Sequence, residues 1–213
     1  WSSDVCSSDL SGQPKAYSFN RGAELTRFSL YQSLIPFENL VPRGIISPIA
    51  PDCFLSYKYR LEGAFIENGE LVNKIAVIPR RKNDPVFSGT IYITEDSWRI
   101  HSADLQITKD YQLQFLDTLQ LKLSYVRATE KIWLPFSNQI RFQFNLFGFK
   151  GSGDIIGVFS GYDADTMLTA KDFNSEVLKV DKSSNKKDSS YWQGARPVPL
   201  TPEESGNYLR SDS

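Results

Sequence analysis

The sequence predicts a mainly β (α+β) fold in which one curved antiparallel meander sheet half encloses a short helix. Apolar and polar residues alternate with a period of two in several runs between Cys53 and Tyr162. Short turns separate these runs, so strands that follow one another in sequence are expected to pair. The chain contains 14 Phe and 10 Tyr but a single Met, and aromatic side chains favour strands. One face of such a sheet is apolar and needs a cover.

Residues 1–10 are expected to lie outside the fold. They contain Ser-Ser-Asp twice and resemble a translated sequencing-adapter remnant; the alternative is a serine-rich terminus of the natural chain. Residues 11–52 are predicted to form a helix over residues 24–34, which Pro36 ends, and then a proline-rich link without long regular structure. Helical spacing brings together Leu25, Phe28, Tyr31 or Gln32, and Leu34-Ile35, and this helix is the predicted cover of the sheet.

Residues 53–172 are predicted to form the β domain. Asn68-Gly69 is typical of a tight hairpin turn, and residues 95–97 indicate a second turn. The clearest alternation, over residues 113–125, places Leu119 and Leu121 on one face and Leu116 on the other. The predicted strands cover residues 54–65, 71–78, 86–94, 98–108, 113–125, 131–135, 140–149 and 154–162.

Residues 173–213 are predicted to form a polar linker and the start of a C-terminal helix. Thr201 is a suitable N-cap, Pro202 suits the first helical position, and Glu204 can complete a capping box. Because this helix starts so close to the end of the sequence, we expect the chain to be a fragment of a longer protein.

Charge and cysteine content argue against two kinds of site. Without residues 1–10, the 25 acidic residues lose Asp4 and Asp9, so 24 basic residues face 23 acidic ones and the formal charge changes from −1 to +1. A near-neutral chain is not typical of a protein that binds nucleic acid by neutralising phosphates. Cys53 is then the single cysteine, so neither an internal disulfide nor a cysteine metal cluster is expected.

A glycine-rich segment is the first candidate for a cofactor site. Gly148, Gly151 and Gly153 lack the Gly-Lys-Ser/Thr ending of a phosphate-binding loop, and their segment continues a strand instead of opening a helix. We interpret these glycines as positions of a bulge or of close backbone approach, and we expect no cofactor.

Catalytic and metal-binding residues are not predicted either. His101 is the single histidine, and the adjacent Ser102 is expected on the opposite face of the strand. His101 is therefore interpreted as a structural or surface residue. Glu95 and Asp96 are interpreted as turn residues that cap local backbone N–H groups, although a second acid on a neighbouring strand is invisible in the sequence.

Two sets of residues are candidates for binding. The basic run Arg80-Arg81-Lys82 is either a solvated loop tip or a contact for an anionic partner such as lipid headgroups or lipopolysaccharide. The aromatic set consists of Trp133, Phe142, Phe144 and Phe147. These side chains either belong to the core or line an apolar cavity able to hold an acyl chain.

Several short motifs together carry a family resemblance from about Phe28 to the C-terminus. They are YKYRLEG (57–63), NKI (73–75), VIPRRK (77–82), FSG (87–89), EDSWRI (95–100), FGFKGSG (147–153) and RPVPLT (196–201). With them the chain resembles gram-negative outer-membrane proteins of unknown function that are commonly named for an N-terminal carboxypeptidase-regulatory-like domain. The resemblance implies a region between that β-sandwich and a C-terminal membrane β-barrel, similar in pattern to periplasmic lipoprotein-carrier domains.

The resemblance implies a non-catalytic β domain on the periplasmic side of the outer membrane, acting as a connector, plug or docking element. Its expected partners are the protein's own barrel and β-sandwich, with lipid or another envelope protein as further partners and no nucleic acid. The alternative is a lipid- or lipoprotein-binding module with an apolar cavity. A hydrolase is the third hypothesis, but the chain lacks the His-Glu-x-x-His motif of a metallopeptidase.

Overall fold

Seven antiparallel strands form one sheet whose order, β3-β4-β5-β6-β7-β8-β9, follows the sequence. The structure is a computed structural model that describes residues 28–37, 41–81, 84–108, 116–129, 132–146, 149–162, 190–191 and 194. A second sheet pairs β1 with β2, and the one short helix named among these residues, α1, precedes β3. The bounds are β1 Leu34–Phe37, β2 Val41–Ile46, α1 Cys53–Ser56, β3 Tyr57–Glu67, β4 Glu70–Pro79, β5 Ser88–Thr94, β6 Ile100–Thr108, β7 Leu116–Arg127, β8 Trp133–Leu146 and β9 Phe149–Val158.

The predicted mainly β fold and its antiparallel meander are confirmed. The strand that was predicted over residues 54–65 begins later, because α1 takes its first residues. The predicted strands 131–135 and 140–149 both overlap the single long strand β8, in which the register shifts opposite Ser124 and Tyr125, and Phe149 already begins β9. The predicted N-cap Thr201 and residues 1–10 lie outside the described residues, and what we predict for them stays a prediction.

The helix predicted over residues 24–34 is wrong in its described part. Residues 28–33 form turns and bends, and Leu34 begins β1; residues 24–27 lie outside the described ranges. The proline-rich link is also more regular than predicted, because β1 and β2 pair as a hairpin. Pro36 is accommodated at a shift in register between Ile35 and Phe37, where its missing N–H costs no ladder hydrogen bond.

The N-terminal cover, which we define as described residues 28–37 and 41–50, takes the place of the predicted helix. Its apolar side chains join one core cluster with side chains from six strands of the large sheet, β3 to β8. Burying this apolar surface against the sheet is the main favourable term that holds the two together. The cover contributes Phe28, Leu30, Ile35, Phe37, Ile45 and Ala50 to the cluster, and the sheet contributes Val77, Ile91, Leu105, Leu119 and Ile140 among others.

A β-bulge changes the predicted alternation in β7. Leu116 was predicted on the polar face, yet it is buried in the core with Leu119. The register shifts between Leu116 and Thr118, so Asp117 is an extra residue and both leucines reach the same face. Residues 109–115, which include the start of the predicted strand, lie outside the described ranges.

Two tyrosines of β3 fasten the N-terminal cover to the sheet. The buried Tyr57 hydroxyl donates to the carbonyl of Ile46 and accepts the backbone N–H of Phe87 at 3.1 Å. The Tyr59 hydroxyl donates to the carbonyl of Pro48 at 2.6 Å. These bonds satisfy backbone groups of Ile46, Pro48 and Phe87.

Because Tyr57 is buried and Tyr59 is partly buried, the contact between the N-terminal cover and the sheet is expected to lose stability at alkaline pH. Burial raises the pKa of Tyr57 and of Tyr59 above the ordinary value of 10.0. Below pH about 10 both hydroxyls are neutral in the folded and unfolded chain; above it the unfolded chain loses protons first, so folding stability falls.

We expect Tyr57→Phe to cost about 1–2 kcal/mol at pH 7 and to reduce the loss of stability between pH 9 and 11, measured by urea unfolding. Tyr92→Phe is the control, and parallel pH profiles for Tyr57→Phe and the unchanged protein would contradict this prediction.

Within the described ranges, no helix is both long enough and apolar enough to cross a membrane.

Candidate functional site

Three of the four aromatic residues predicted to line a cavity are described, and Trp133 lies far from Phe142 and Phe144. Trp133 begins β8, and Phe142 lies nine residues further along the same strand, about 30 Å away at about 3.3 Å per residue. A Cβ atom added at Gly153 would lie 2.2 Å from the Phe142 ring, and one added at Gly151 would lie 2.3 Å from the Phe144 ring. These two rings therefore lie over the glycines of the neighbouring strand; Phe147 is outside the described residues.

The glycine-rich segment is a strand, as interpreted from the sequence. Gly151 and Gly153 lie inside β9, opposite Phe144 and Phe142 of β8. Only a residue without a Cβ leaves room for these rings, which is the close approach that was predicted. Gly148 lies outside the described residues.

The two described residues of the basic run make different contacts. The Arg80 Nε donates to the carbonyls of Phe54 at 2.7 Å and Tyr57 at 3.0 Å, so this guanidinium holds α1 against β3. Arg81 is exposed and lies 4.0 Å from the carboxylate of Asp84. Lys82 lies outside the described residues.

His101 has closer neighbours than the sequence predicted. Its Nδ1 lies 3.2 Å from the Ser102 Oγ, although alternation places adjacent side chains on opposite faces. The pairing of β5 with β6 skips His101, and such a bulge turns two successive side chains toward each other. The Nε2 lies 3.6 Å from the carboxylate of Glu67, and the ring packs edge-on near Trp133 with centroids 6.1 Å apart.

Three turns at one end of the sheet enclose two adjoining clefts. The turns connect β3 to β4, β5 to β6 and β7 to β8. Tyr125 and Trp133 border both clefts. The first, the aromatic cleft, has a volume of about 360 Å³ and is lined by Tyr31, Arg99, Tyr125, Ile132 and Trp133. The second, the paired-charge cleft, has a volume of about 260 Å³ and is lined by Glu67, Asn68, Glu70, His101, Tyr125, Val126, Arg127 and Trp133.

The paired-charge cleft is closed by one ion pair and one histidine–carboxylate contact, each between distant strands. Arg127 of β7 lies 3.2 Å from the carboxylate of Glu70 on β4, and His101 of β6 lies 3.6 Å from Glu67 on β3. Each pair spans three strand spacings, about 14 Å in a flat sheet. Extended His and Glu side chains do not cover that distance, so the sheet bends at this end.

The aromatic cleft presents one cation between aromatic rings. The Arg99 backbone is held by Thr94, whose N–H donates to the Arg99 carbonyl at 3.0 Å and whose Oγ1 accepts the Arg99 N–H at 3.2 Å. Tyr31 and Tyr125 meet edge to face, with centroids 6.2 Å apart at 84°. Burial raises the pKa of Tyr125, so its hydroxyl stays neutral.

The described residues around the clefts include some of the groups that catalysis commonly uses. In the described ranges, no three His, Cys, Asp or Glu side chains converge as metal ligands. Ser102, His101 and Glu67 lie in the order of a nucleophile, a base and an acid, but Ser102 lines neither cleft. A substrate bound in the paired-charge cleft would therefore meet the imidazole and not the hydroxyl, and one bound in the aromatic cleft would meet neither.

The sequence did not identify the clefts as sites. Of their residues, only Trp133 was among the predicted cavity residues, and His101 was interpreted as structural or exposed. The single available signal was that tyrosine, tryptophan and charged residues flank three predicted turns, which meet only after the strands pair.

A model of a protein family of unknown function (DUF5686) matches residues 1–162. The matched range starts before Phe28, where the resemblance was expected to begin, and stops before the predicted C-terminal linker. No curated protein and no solved structure matches the chain. The outer-membrane setting and the neighbouring carboxypeptidase-regulatory-like domain stay predictions.

Proposed function

We propose that this chain, which belongs to the family of unknown function DUF5686, is a non-catalytic β domain that docks onto the rest of a larger outer-membrane protein from the periplasmic side. The observation that carries the proposal is the position of the exposed apolar side chains. The described residues include 14 large hydrophobic side chains that are exposed, and half of these lie on α1, β3 and β4. This β3 surface consists of Phe54, Leu55, Leu61, Phe65, Ile66, Leu71 and Ile78.

The β3 surface includes a free edge of the sheet. β3 is the first strand in the sheet order and pairs with β4 alone among the described strands, so its other edge presents unpaired backbone groups. An exposed edge of this kind is a template for another strand. Exposed apolar side chains beside it are typical of a protein interface.

The two halves of β3 differ in how well they are protected against pairing. The first half carries the charged residues Lys58, Arg60 and Glu62, and a shift in register at Glu62 interrupts the ladder. Charges and bulges of this kind discourage edge-to-edge association. The second half carries Phe65 at 40% and Ile66 at 75% exposure, so we place the docking contact there. Its proposed occupant is a strand from the flanking parts of the same protein, which the resemblance describes as a β-sandwich and a β-barrel.

The lipid-binding alternative is less well supported. It needs an open apolar cavity, but Phe28, Leu30 and Phe37 of the N-terminal cover are buried against the sheet. The predicted cavity residues Phe142 and Phe144 pack on this same core and over glycines. These contacts favour a domain whose apolar interior is filled and whose binding surface is external.

Charge substitutions on β3 test the docking role in the full-length protein. We expect the pair Leu61→Glu and Ile66→Glu to change the stability of this domain by no more than about 1 kcal/mol, because both side chains are mostly exposed. The same pair should increase cleavage between this domain and its neighbours in limited proteolysis of outer-membrane fractions. The control is Phe136→Glu, whose side chain is 48% exposed on β8.

Two results would contradict the proposal. One is an unchanged cleavage pattern for the double variant, since a docked surface cannot accept two carboxylates without weakening. The other is recovery of the full-length protein in the soluble cytoplasmic fraction.

A further inference from the structure

Arg99 in the aromatic cleft is a cation without a counter-charge. Within the described ranges, no carboxylate, carbonyl or other side chain binds its guanidinium. The contrast with other arginines is clear, because several of them lie within 4.0 Å of a carboxylate: Arg60, Arg81, Arg127 and Arg141. A guanidinium that lines a cleft and is left unpaired is available to an anion from solution.

The walls around Arg99 are aromatic and held in place. The Tyr31 hydroxyl accepts the backbone N–H of Ile100 at 3.1 Å, and its ring rests edge-on against Tyr125. The ring of His101 packs edge-on against Trp133 and helps to hold it in place. The cleft therefore exists before a ligand arrives, and its volume of about 360 Å³ suits a small molecule.

We infer that the aromatic cleft binds a small ligand that carries one carboxylate and one ring. The two donor edges of the Arg99 guanidinium match a carboxylate, and the rings of Trp133 and Tyr125 pack on the apolar face of the ligand ring. A single unpaired cation balances a single negative charge. A doubly charged phosphate is disfavoured because Arg99 is the one cation among the described residues that line this cleft, and the carboxylates of Glu67 and Glu70 line the adjoining one.

This binding site goes beyond the docking role and does not depend on it, because the cleft and the β3 surface use different residues. Two sources supply the same ligand chemistry: an aromatic amino acid with a free carboxylate, as at the end of a peptide, and a sugar acid. The experiment separates them.

The test is calorimetric titration of the 213-residue chain with four probes. N-acetyltryptophan and glucuronate carry the carboxylate, and N-acetyltryptophanamide and glucose are their neutral counterparts. We expect one of the two acids to bind saturably with a Kd of roughly 1 mM or lower, and its neutral counterpart to bind about tenfold more weakly or not at all. Which acid binds identifies the source.

Variants assign the binding to the cleft. Arg99→Gln should weaken binding about tenfold or more without changing the melting temperature, since the guanidinium has no protein partner among the described residues. Arg99→Lys should restore part of the affinity because it keeps the charge but loses the planar fork. Trp133→Leu should weaken binding as well, whereas Arg81→Gln, an exposed arginine elsewhere, should leave it unchanged.

The inference is overturned if neither acid binds saturably, if the acid and its neutral counterpart bind equally well, or if Arg99→Gln keeps full affinity. Retention of binding by the β3 double variant separates this result from the outcome of the docking test.

Discussion

Gly89→Ala is expected to destabilise the domain by about 3 kcal/mol or more, the largest loss that a single added methyl group should cause here. Gly89 has a φ of +140°, and an added Cβ would lie 2.2 Å from the carbonyl oxygen of Asp104. That oxygen belongs to the backbone of β6, which pairs with β5 at this position and cannot move away without breaking the ladder. Urea unfolding followed by circular dichroism measures the loss.

Gly69→Ala is the matched control for Gly89→Ala. Gly69 also has a positive φ, +81°, but nothing lies within 4 Å of an added Cβ. Its substitution should cost about 1–2 kcal/mol from backbone conformation alone. The difference between the two variants isolates the contact with β6, so equal losses would show that this contact is relieved without strain.

Phe37→Ala is expected to cost about 3–5 kcal/mol, because it removes a large side chain from the joint between the N-terminal cover and the sheet. Phe37 is 2% exposed and packs near Phe28, with ring centroids 5.6 Å apart. It lies in the two-stranded sheet, so a loss of this size would show that the small sheet and the large sheet share one core. The free energy of unfolding in urea is the measurement.

Phe136→Ala provides the comparison for Phe37→Ala with the same chemical change. Phe136 lies in the large sheet, yet its side chain is 48% exposed, so we expect a loss below about 1 kcal/mol. If Phe37→Ala cost no more than Phe136→Ala, the N-terminal cover would be a peripheral attachment and not part of the core.

Strand pairing could be predicted from the sequence because its signals are local. Asn68-Gly69 forms the predicted turn, with both residues at positive φ, 51° and 81°. The alternation of Leu119 and Leu121 with polar neighbours places the inner face of β7 correctly. The register shifts at Asp117 and His101 could not be predicted, because a bulge depends on the partner strand as well as on its own residues.

The N-terminal cover could not be predicted for a different reason. Phe28, Tyr31 and Leu34-Ile35 are spaced as in a helix, but over so few residues the pattern also suits irregular chain followed by a strand. The outcome was decided by the sheet, which buries Leu30 and Ile35 completely and leaves Leu34 51% exposed. The clefts share this limitation, since Tyr31, Arg99 and Trp133 become neighbours only through the tertiary fold.

The bonds of Tyr57 and Tyr31 have a consequence for how the protein is made. Within the meander each strand finds its partner among the residues that were just synthesised, which favours rapid pairing. The N-terminal cover is different: the bond between Tyr31 and Ile100 joins residues that are 69 positions apart. The cover therefore leaves the ribosome early and waits for β6 and β7 before its apolar side chains are sheltered. During that interval the segment with Phe28, Leu30 and Phe37 exposes apolar side chains, and a chaperone would need to bind it there.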